Sequence, residues 1–289
     1  MNGILLIDKP SGWTSSDVVA KLRGVLHERR IGHSGTLDPM ATGLLVVFIG
    51  RATRAVEFAE VQEKQYLAVL HLGLVTDTQD TTGRRIGGEP RMIPDLELEA
   101  ALARFRGEIR QIPPMYSAVK IGGKKLYEIA RRGGEVERKP RSVTISELEL
   151  IKRDGEDVHL RVTCSKGTYI RTLCHDIGQK LGCGGCMSAL RRTRAGAFTL
   201  DHAHTLEEVQ HAADLGEAAS LLLPVDTLFT ACPAVHVSET EAFRIRNGNP
   251  VPYAGADGRY RVYGPGEYFL ALAEIVDGEL KTIKSFFEV

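Results

Sequence analysis

Apolar residues in this chain occur only in short groups, and these groups follow two different periods. The longest uninterrupted apolar run is the six residues 44–49 (Leu-Leu-Val-Val-Phe-Ile), far short of the roughly 20 that a membrane-spanning helix requires. Some groups alternate with polar residues, which predicts half-buried strands, and others recur every three or four residues, which predicts amphipathic helices. Many short strands and helices must therefore pack together, and both must contribute apolar side chains to the core.

The two patterns interleave along the chain without a regular order. Strands are predicted at residues 4–7, 44–49, 66–72 and 158–164, and helices at residues 18–26, 96–106 and 170–181. A doubly wound fold needs strands and helices in strict alternation, whereas hairpin signals such as Gly122-Gly123 favour antiparallel pairing. The predicted fold class is α+β, with a mostly antiparallel central sheet flanked by helices. Arg171 is predicted to lie off the apolar face of its helix and to point elsewhere.

The composition changes towards the end of the chain. Residues 201–230 carry six acidic and no basic side chains and are predicted to be helical, whereas the residues beyond Pro233 are predicted to form short strands and turns. A chain of 289 residues commonly splits into one large and one smaller domain. We therefore predict a domain over residues 1–230 and a β-rich domain over residues 231–289.

The formal net charge is zero, with 37 basic and 37 acidic side chains, but the charge is unevenly distributed. Residues 106–141 hold ten basic and four acidic side chains, residues 161–194 hold seven and one, and residues 195–289 hold six and 14. Because Tyr127 and Tyr169 lie within the two basic stretches, RNA binding by phosphate contacts and base stacking is favoured over a merely solvated surface. The cations expected to face phosphates are Arg131, Arg132, Arg138, Lys139, Arg141, Arg171, Arg191, Arg192 and Arg194.

The cysteines and the first residues bear on where the protein works. An odd number of cysteines, five, with no export signal at the start of the chain predicts reduced thiols and a cytoplasmic protein. Only Cys183 and Cys186 have the spacing of a metal-binding pair. A zinc ribbon needs a second such pair, and Cys164, Cys174 and His175 do not form one. Buried thiols around a glycine-rich turn are therefore predicted, and no metal.

One loop carries the main candidate for chemistry. Residues 32–43 read Gly-His-Ser-Gly-Thr-Leu-Asp-Pro-Met-Ala-Thr-Gly, and their glycines allow the backbone to turn sharply and approach a ligand. The order of a phosphate-binding P-loop is absent. Ser34, His33 and Asp38 have the residue types of a hydrolytic triad, but a triad converges from separate elements and no nucleophile elbow is present. A glycosidase needs a second carboxylate, for which Asp80 is the nearest candidate and equally a turn-former.

Several blocks of sequence occur in a fixed order through the first 200 residues. They are residues 8–15 (Asp-Lys-Pro-Ser-Gly-Trp-Thr-Ser), 32–45, 64–66 (Lys-Gln-Tyr), 76–83, 113–127, 165–171 (Ser-Lys-Gly-Thr-Tyr-Ile-Arg) and 190–192 (Leu-Arg-Arg). Together they strongly resemble the bacterial tRNA pseudouridine synthase B (TruB) family. The tail beyond Pro233 is similar to the small PUA domain that follows the catalytic domain in that family.

The resemblance implies an isomerase that converts uridine to pseudouridine at position 55 in the T loop of tRNA, without a metal or organic cofactor. In that reaction the N1–C1′ bond is cut, the base turns, and C5 is joined to C1′. Asp38 matches the family's catalytic aspartate, and a carboxylate serves such chemistry as a nucleophile or as a base and electrostatic stabiliser. Arg171 matches the arginine that pairs with it; a phosphate contact is the alternative.

The uridine must also leave the base stack before N1 and C5 become accessible. The resemblance implies that Tyr66 lies against the flipped base, that Tyr169 and Leu190 line its pocket, and that His33 occupies the vacated space. The local pattern alone makes Tyr66 a core or cross-strand aromatic residue.

The remaining implications concern support and partners. Lys9 and Pro10 match a motif that supports the active-site loop, and Asp80 matches a position near the site. The implied partner is tRNA, with the basic stretches on the T arm and the PUA-like tail near the acceptor stem, for a monomer without an obligate protein partner. Two alternatives stay open: a guide-RNA-dependent pseudouridine synthase subunit, and an RNA-binding protein or tRNA-folding chaperone whose catalysis is incidental.

Overall fold

A computed structural model describes residues 1–287 of the chain. Its α-helices are Ser15–Val25 (α1), Val56–Glu60 (α2), Asp95–Ala103 (α3), Leu126–Ala130 (α4), Ile170–Lys180 (α5), Leu206–Asp214 (α6) and Glu239–Arg246 (α7). Its strands are Gly3–Lys9 (β1), Ile31–Ser34 (β2), Thr42–Ile49 (β3), Lys64–Leu72 (β4), Val75–Thr76 (β5), Arg85–Gly87 (β6), Gly107–Gln111 (β7), Lys120–Ile121 (β8), Lys124–Lys125 (β9), Arg141–Asp154 (β10), Asp157–Cys164 (β11), Gly185–Ala195 (β12), Phe198–Thr199 (β13), Ala234–His236 (β14), Val251–Pro252 (β15), Gly258–Tyr263 (β16), Phe269–Val276 (β17) and Glu279–Ser285 (β18).

The first of two compact units contains residues 1–39, 44–60 and 197–289. In it β3 lies beside β1 and pairs antiparallel with β2. Helices α1 and α6 pack against each other, and their apolar faces close a core with these strands that includes Leu22, Val47 and Val209. Helix α1 begins at a capping box in which Thr14 and Asp17 each accept the other's backbone N–H, so two donors of the first turn are satisfied.

The second unit contains residues 40–43 and 61–196. Its strands lie in the order β12-β4-β11-β10-β7, and each neighbouring pair is antiparallel. Helix α5 packs on β12 at a close approach, because a Cβ placed on Gly178 would lie 2.2 Å from the backbone nitrogen of Gly185. The glycines between Cys183 and Cys186 therefore allow the helix to sit directly on the start of β12.

The last part of the chain forms a five-stranded sheet in the order β14-β16-β17-β18-β15 within the first unit. This confirms the predicted β-rich tail; the helix α7, which lies among its strands, was not predicted. The sequence signal for α7 is Ser238 followed by Glu241, a capping box that both side chains complete. The boundary near residue 231 stays a prediction, and the last two residues of the predicted domain lie outside the described residues.

The predicted α+β class with a mostly antiparallel sheet is confirmed. No helix within residues 1–287 is both long and apolar enough to span a membrane. The two units differ in charge: the second has 24 basic and 17 acidic side chains and contains both basic stretches, and the first has 13 and 20. The basic excess of the second unit and the acidic excess of the first therefore cancel in the net charge of the whole chain.

Not every predicted phosphate-binding cation is accessible. Arg131 and Arg132 are exposed and Arg191 is half-buried, but Arg171 and Arg192 are only 5% and 1% exposed. Arg171, predicted to lie off the apolar face of α5 and to point elsewhere, is therefore buried rather than exposed to solvent. The reason is that its guanidinium turns inward to backbone carbonyl groups, which satisfy it away from water.

Candidate active site

Asp38 is half-buried in the loop that joins β2 to β3. The side chain of Lys9, at the end of β1, is fully buried beneath this loop. Its ammonium donates to the carbonyl oxygens of Pro10 (2.9 Å), Trp13 (2.6 Å) and Pro39 (3.3 Å). Since a buried charge needs such partners, these carbonyl groups and the ammonium hold each other in place.

The loop is attached on both sides of Asp38. The hydroxyl of Ser15, at the start of α1, accepts the N–H of Leu37 (2.9 Å) and donates to its carbonyl (3.3 Å). The backbone N–H of Gly12 donates to the carbonyl of Pro39 (2.8 Å). The residues before and after Asp38 are thus held by β1 and α1, so its carboxylate is presented from a fixed backbone.

In the second unit, Tyr66 lies half-buried on β4, where it is paired with Arg192 of β12. Leu190 of β12 is paired with Ala68. Residues paired directly across two strands point to the same face of a sheet, and alternate residues of one strand share a face. Tyr66, Leu190 and Arg192 therefore lie on one face of the sheet.

Arg171 lies in the first turn of α5, and its two terminal nitrogens reach two different loops. Nη1 donates to the carbonyl of Thr78 (3.0 Å), and Nη2 donates to the carbonyl of Tyr116 (2.8 Å). The same Nη1 is 3.8 Å from Oδ2 of Asp80, and both side chains are buried. The guanidinium therefore connects the segments that follow β5 and β7 to the start of α5.

Tyr169 is the residue that precedes α5, and its backbone is held by a buried amide. The side chain of Gln111, at the end of β7, accepts the N–H of Tyr169 (3.0 Å) and donates to its carbonyl (3.3 Å). A neighbouring β-strand would bind the N–H and the carbonyl of one residue in the same way. Gln111 is 1% exposed, so the start of α5 is attached to the sheet edge.

The structure thus places the predicted site residues in two groups. In the first unit, the ammonium of Lys9 contacts both the carbonyl of Pro10 and that of Pro39 in the loop of Asp38. This unit also contains His33 in β2. The second unit brings Asp80 to Arg171 and places Tyr66 and Leu190 on one sheet face.

Sequence reasoning missed the residues that hold these groups. They are Gln111, the carbonyl of Thr78 that accepts from Arg171, and Thr82, whose backbone N–H and hydroxyl both donate to Oδ1 of Asp80. The run Asp80-Thr81-Thr82 did contain a signal, because an aspartate commonly accepts the backbone N–H two residues on. Gln111 has no such local signal, since its partner is distant in sequence.

All five cysteines are free thiols. Burial raises the pKa of Cys164 and of Cys186 to about 11 and raises the pKa of Cys174 further still. These three side chains are therefore thiols rather than thiolates at neutral pH. Within residues 1–287 the structure contains no group of three or more His, Cys, Asp or Glu side chains placed to hold a metal ion.

Ionisation of the carboxyl group of Asp176, on α5, destabilises the folded protein. Burial raises the pKa of Asp176 from its ordinary 3.8 to about 6, so the cost of ionisation develops between these pH values and is fully present above pH 6. Asp176→Asn should therefore raise the free energy of unfolding at pH 7.5 by about 1 kcal/mol, since partial solvent exposure reduces the full effect, and leave it nearly unchanged at pH 4. Urea unfolding at both pH values measures this, with exposed Asp201→Asn as the control. An equal gain at both pH values would contradict the assignment to ionisation.

Two solved structures share this fold over 99% of the chain. One is a Cbf5-Nop10-Gar1 complex, with a TM-score of 0.76, 27% identity and 85% of that chain covered. The other is an H/ACA RNP bound to a substrate RNA containing 2'-deoxyuridine, with a TM-score of 0.75, 25% identity and 85% of that chain covered.

Family models place the chain in the class of pseudouridylate synthases. Residues 23–170 match the TruB family pseudouridylate synthase (N terminal domain), residues 171–230 match the tRNA pseudouridylate synthase B C-terminal domain, and residues 233–283 match the model of pseudouridine synthase II TruB, C-terminal. The chain belongs to the TruB family, which confirms the resemblance stated from the sequence.

Curated relatives match almost from end to end. A tRNA pseudouridine synthase B of Syntrophomonas wolfei is 47% identical over 282 residues, covering 95% of this chain and 93% of that protein. A tRNA pseudouridine synthase B of Pseudomonas fluorescens (strain Pf0-1) is 44% identical over 280 residues, covering 95% of this chain and 92% of that protein.

Proposed function

We propose that this protein isomerises uridine to pseudouridine at position 55 in the T loop of tRNA. Its membership of the TruB family supports the reaction, and the name shared by the relatives that are 44–47% identical supports tRNA as the substrate. The chains solved in H/ACA complexes are 25–27% identical, so the tRNA enzyme is favoured over a guide-RNA-dependent subunit. The observation that carries the proposal is Asp38 presented from a loop that Lys9 and Ser15 hold on either side.

Asp38 is the group to which we assign the chemistry. Cleavage of the N1–C1′ bond needs either a nucleophile that bonds to the substrate or a negative charge that stabilises an electron-deficient ribose, and a carboxylate supplies both. The detached base then turns, C5 bonds to C1′, the C5 proton passes to solvent and N1 gains a proton. The reaction balances without a cofactor.

Arg171 is assigned to the pairing with Asp38. A guanidinium carries five N–H donors in one plane, so it can hold the carbonyls of Thr78 and Tyr116 and pair with carboxylates at the same time. Its burial supports this role over a phosphate contact, because a 5% exposed side chain offers little surface to a backbone phosphate. Asp80, whose Oδ2 lies 3.8 Å from Nη1 of Arg171, would help to balance the charge of the guanidinium.

The flipped uridine is assigned to the sheet face that carries Tyr66 and Leu190. A stacking aromatic and a buried aliphatic side chain on one face form a surface for a planar base. Tyr169 contributes from the start of α5, where Gln111 holds its backbone. We assign His33 to the space that the base vacates.

The second unit, with its excess of basic side chains, is proposed to bind the T arm. The exposed Arg131 and Arg132 are the clearest candidates for phosphate contacts. The C-terminal sheet is proposed to reach the acceptor stem, and the protein is proposed to act as a cytoplasmic monomer without an obligate protein partner.

The purified protein alone should convert a naked T-arm stem-loop, because all the groups assigned to the chemistry lie in this chain. The measurement is tritium release from 5-labelled uridine at the target position, with a stem-loop labelled only at a stem uridine as the control. Release that appears only after addition of a guide RNA and accessory proteins would favour the guide-dependent alternative instead.

A further inference from the structure

We propose that Thr82 is a positioning residue of the active site, whose hydroxyl sets the orientation of Asp80 and through it the position of Arg171. The inference rests on the proposed function. The contacts that support it lie within the second unit, and Thr82 lies outside the set of residues to which the resemblance assigns a role.

The carboxylate of Asp80 is buried, at 5% exposure, and its two oxygens have different surroundings. Oδ1 accepts three hydrogen bonds: from the hydroxyl of Thr78 (2.8 Å), from the backbone N–H of Thr82 (3.0 Å) and from the hydroxyl of Thr82 (2.5 Å). Oδ2 lies 3.8 Å from Nη1 of Arg171. Three donors on Oδ1 therefore fix the rotation of the carboxylate and direct Oδ2 towards the guanidinium.

The two hydroxyls do not contribute equally. The hydroxyl of Thr78 has a second acceptor within reach, the backbone carbonyl of Asp80 at 3.1 Å, and a hydroxyl has a single proton to donate. The hydroxyl bond of Thr82 is to the carboxylate itself. Hydrogen bonds from a hydroxyl to a carboxylate are among the stronger ones in proteins, so Thr82 contributes most to the fixed orientation.

The backbone beneath this cluster is already held by other bonds. The N–H of Thr81 donates to the carbonyl of Met187 on β12 (3.0 Å), and the N–H of Met187 donates to the carbonyl of Gln79 (3.0 Å). Loss of the Thr82 hydroxyl should therefore leave the loop in place and free only the carboxylate. Thr82 is itself exposed, so its substitution does not create a cavity in the core.

Thr82→Val keeps the shape of the side chain and removes the hydroxyl. Because a charge-assisted hydrogen bond is lost, kcat on the T-arm stem-loop should fall about tenfold, with KM and the melting temperature unchanged. Thr82→Ser should restore kcat to within about twofold of wild type, since the donor returns. Thr81→Val is the matched control, since it makes the same chemical change at the adjacent exposed threonine. It should leave kcat and KM at wild-type values.

A double-mutant cycle with Asp80→Asn tests the route of the effect. If Thr82 acts through Asp80, Thr82→Val should lower kcat no further in the Asp80→Asn background. An undiminished kcat in Thr82→Val, a rise in KM instead, or an equal loss in both backgrounds would each overturn the inference. These outcomes differ from failure of the proposed function, in which wild-type protein would release no tritium from the stem-loop.

Discussion

Asp38→Asn should lower tritium release from 5-labelled uridine in a T-arm stem-loop by about 10³-fold or more. The asparagine has nearly the same shape but is neutral, so it neither attacks the substrate nor stabilises positive charge on the ribose. A loss of rate of this order is typical when a catalytic side chain is removed. The loop should persist, because its attachments involve Lys9, Gly12 and Ser15 and the backbone on either side of Asp38. Binding of the stem-loop and the melting temperature should therefore change little.

The exposed Asp201→Asn is a matched control, since it makes the same change far from the site in sequence, and it should react like wild type. Undiminished release by the Asp38 variant would remove Asp38 from the chemistry. Complementation of a strain that lacks the enzyme separates catalysis from tRNA folding. If the protein acted chiefly as a tRNA-folding chaperone, the Asp38→Asn variant should complement the strain, whereas variants at Arg131, Arg132 or Arg191 should not.

Arg171→Met should reduce the free energy of unfolding by about 3 kcal/mol and also lower tritium release strongly. Removal of one partner of a buried ion pair leaves the other charge uncompensated, which costs more than the pair itself contributes. Here Asp80 would lose its cation, and the carbonyls of Thr78 and Tyr116 would lose their donors. Urea unfolding monitored by circular dichroism measures the first effect, and the stem-loop assay measures the second.

Two further variants make that result specific. Arg131→Met removes an exposed arginine of the same unit and should change the free energy of unfolding by no more than about 0.5 kcal/mol. Arg171→Lys retains the charge but not the planar set of donors, so an intermediate loss of stability is expected. An Arg171→Met protein as stable as wild type would contradict the buried network of Arg171, Asp80 and the two carbonyls.

Much of the fold was predictable because it depends on local patterns. The alternation of residues 158–164 predicted β11, and the apolar spacing of residues 18–26 predicted α1, both of which the structure contains. The short helix α7 was not predicted, because turn residues on both sides of it obscured its capping box. The sequence also did not indicate that the side chain of Arg171 is buried, because its partners are carbonyl groups 93 and 55 residues away along the chain.

The candidate site shows the same division. Sequence blocks selected Asp38, Tyr66 and Arg171 through their resemblance to a family, and their roles in this chain stay predictions. No local pattern selected Gln111, whose side-chain amide binds the backbone of Tyr169, 58 residues away in sequence. Nor did any local pattern select the hydroxyl of Thr82, which donates to the buried carboxylate of Asp80. Such supporting contacts depend on which segments meet in space, and periodicity carries no information about that.

The amino-acid sequence by itself determined the strand and helix patterns, the family and the presence of two basic stretches, because each of these depends on residue order alone. Only the tertiary structure decided which of the basic side chains reach water. Arg131 and Arg132 do, whereas Arg171 and Arg192 are buried, because removing a cation from water is tolerated only where the fold brings oxygen acceptors to it.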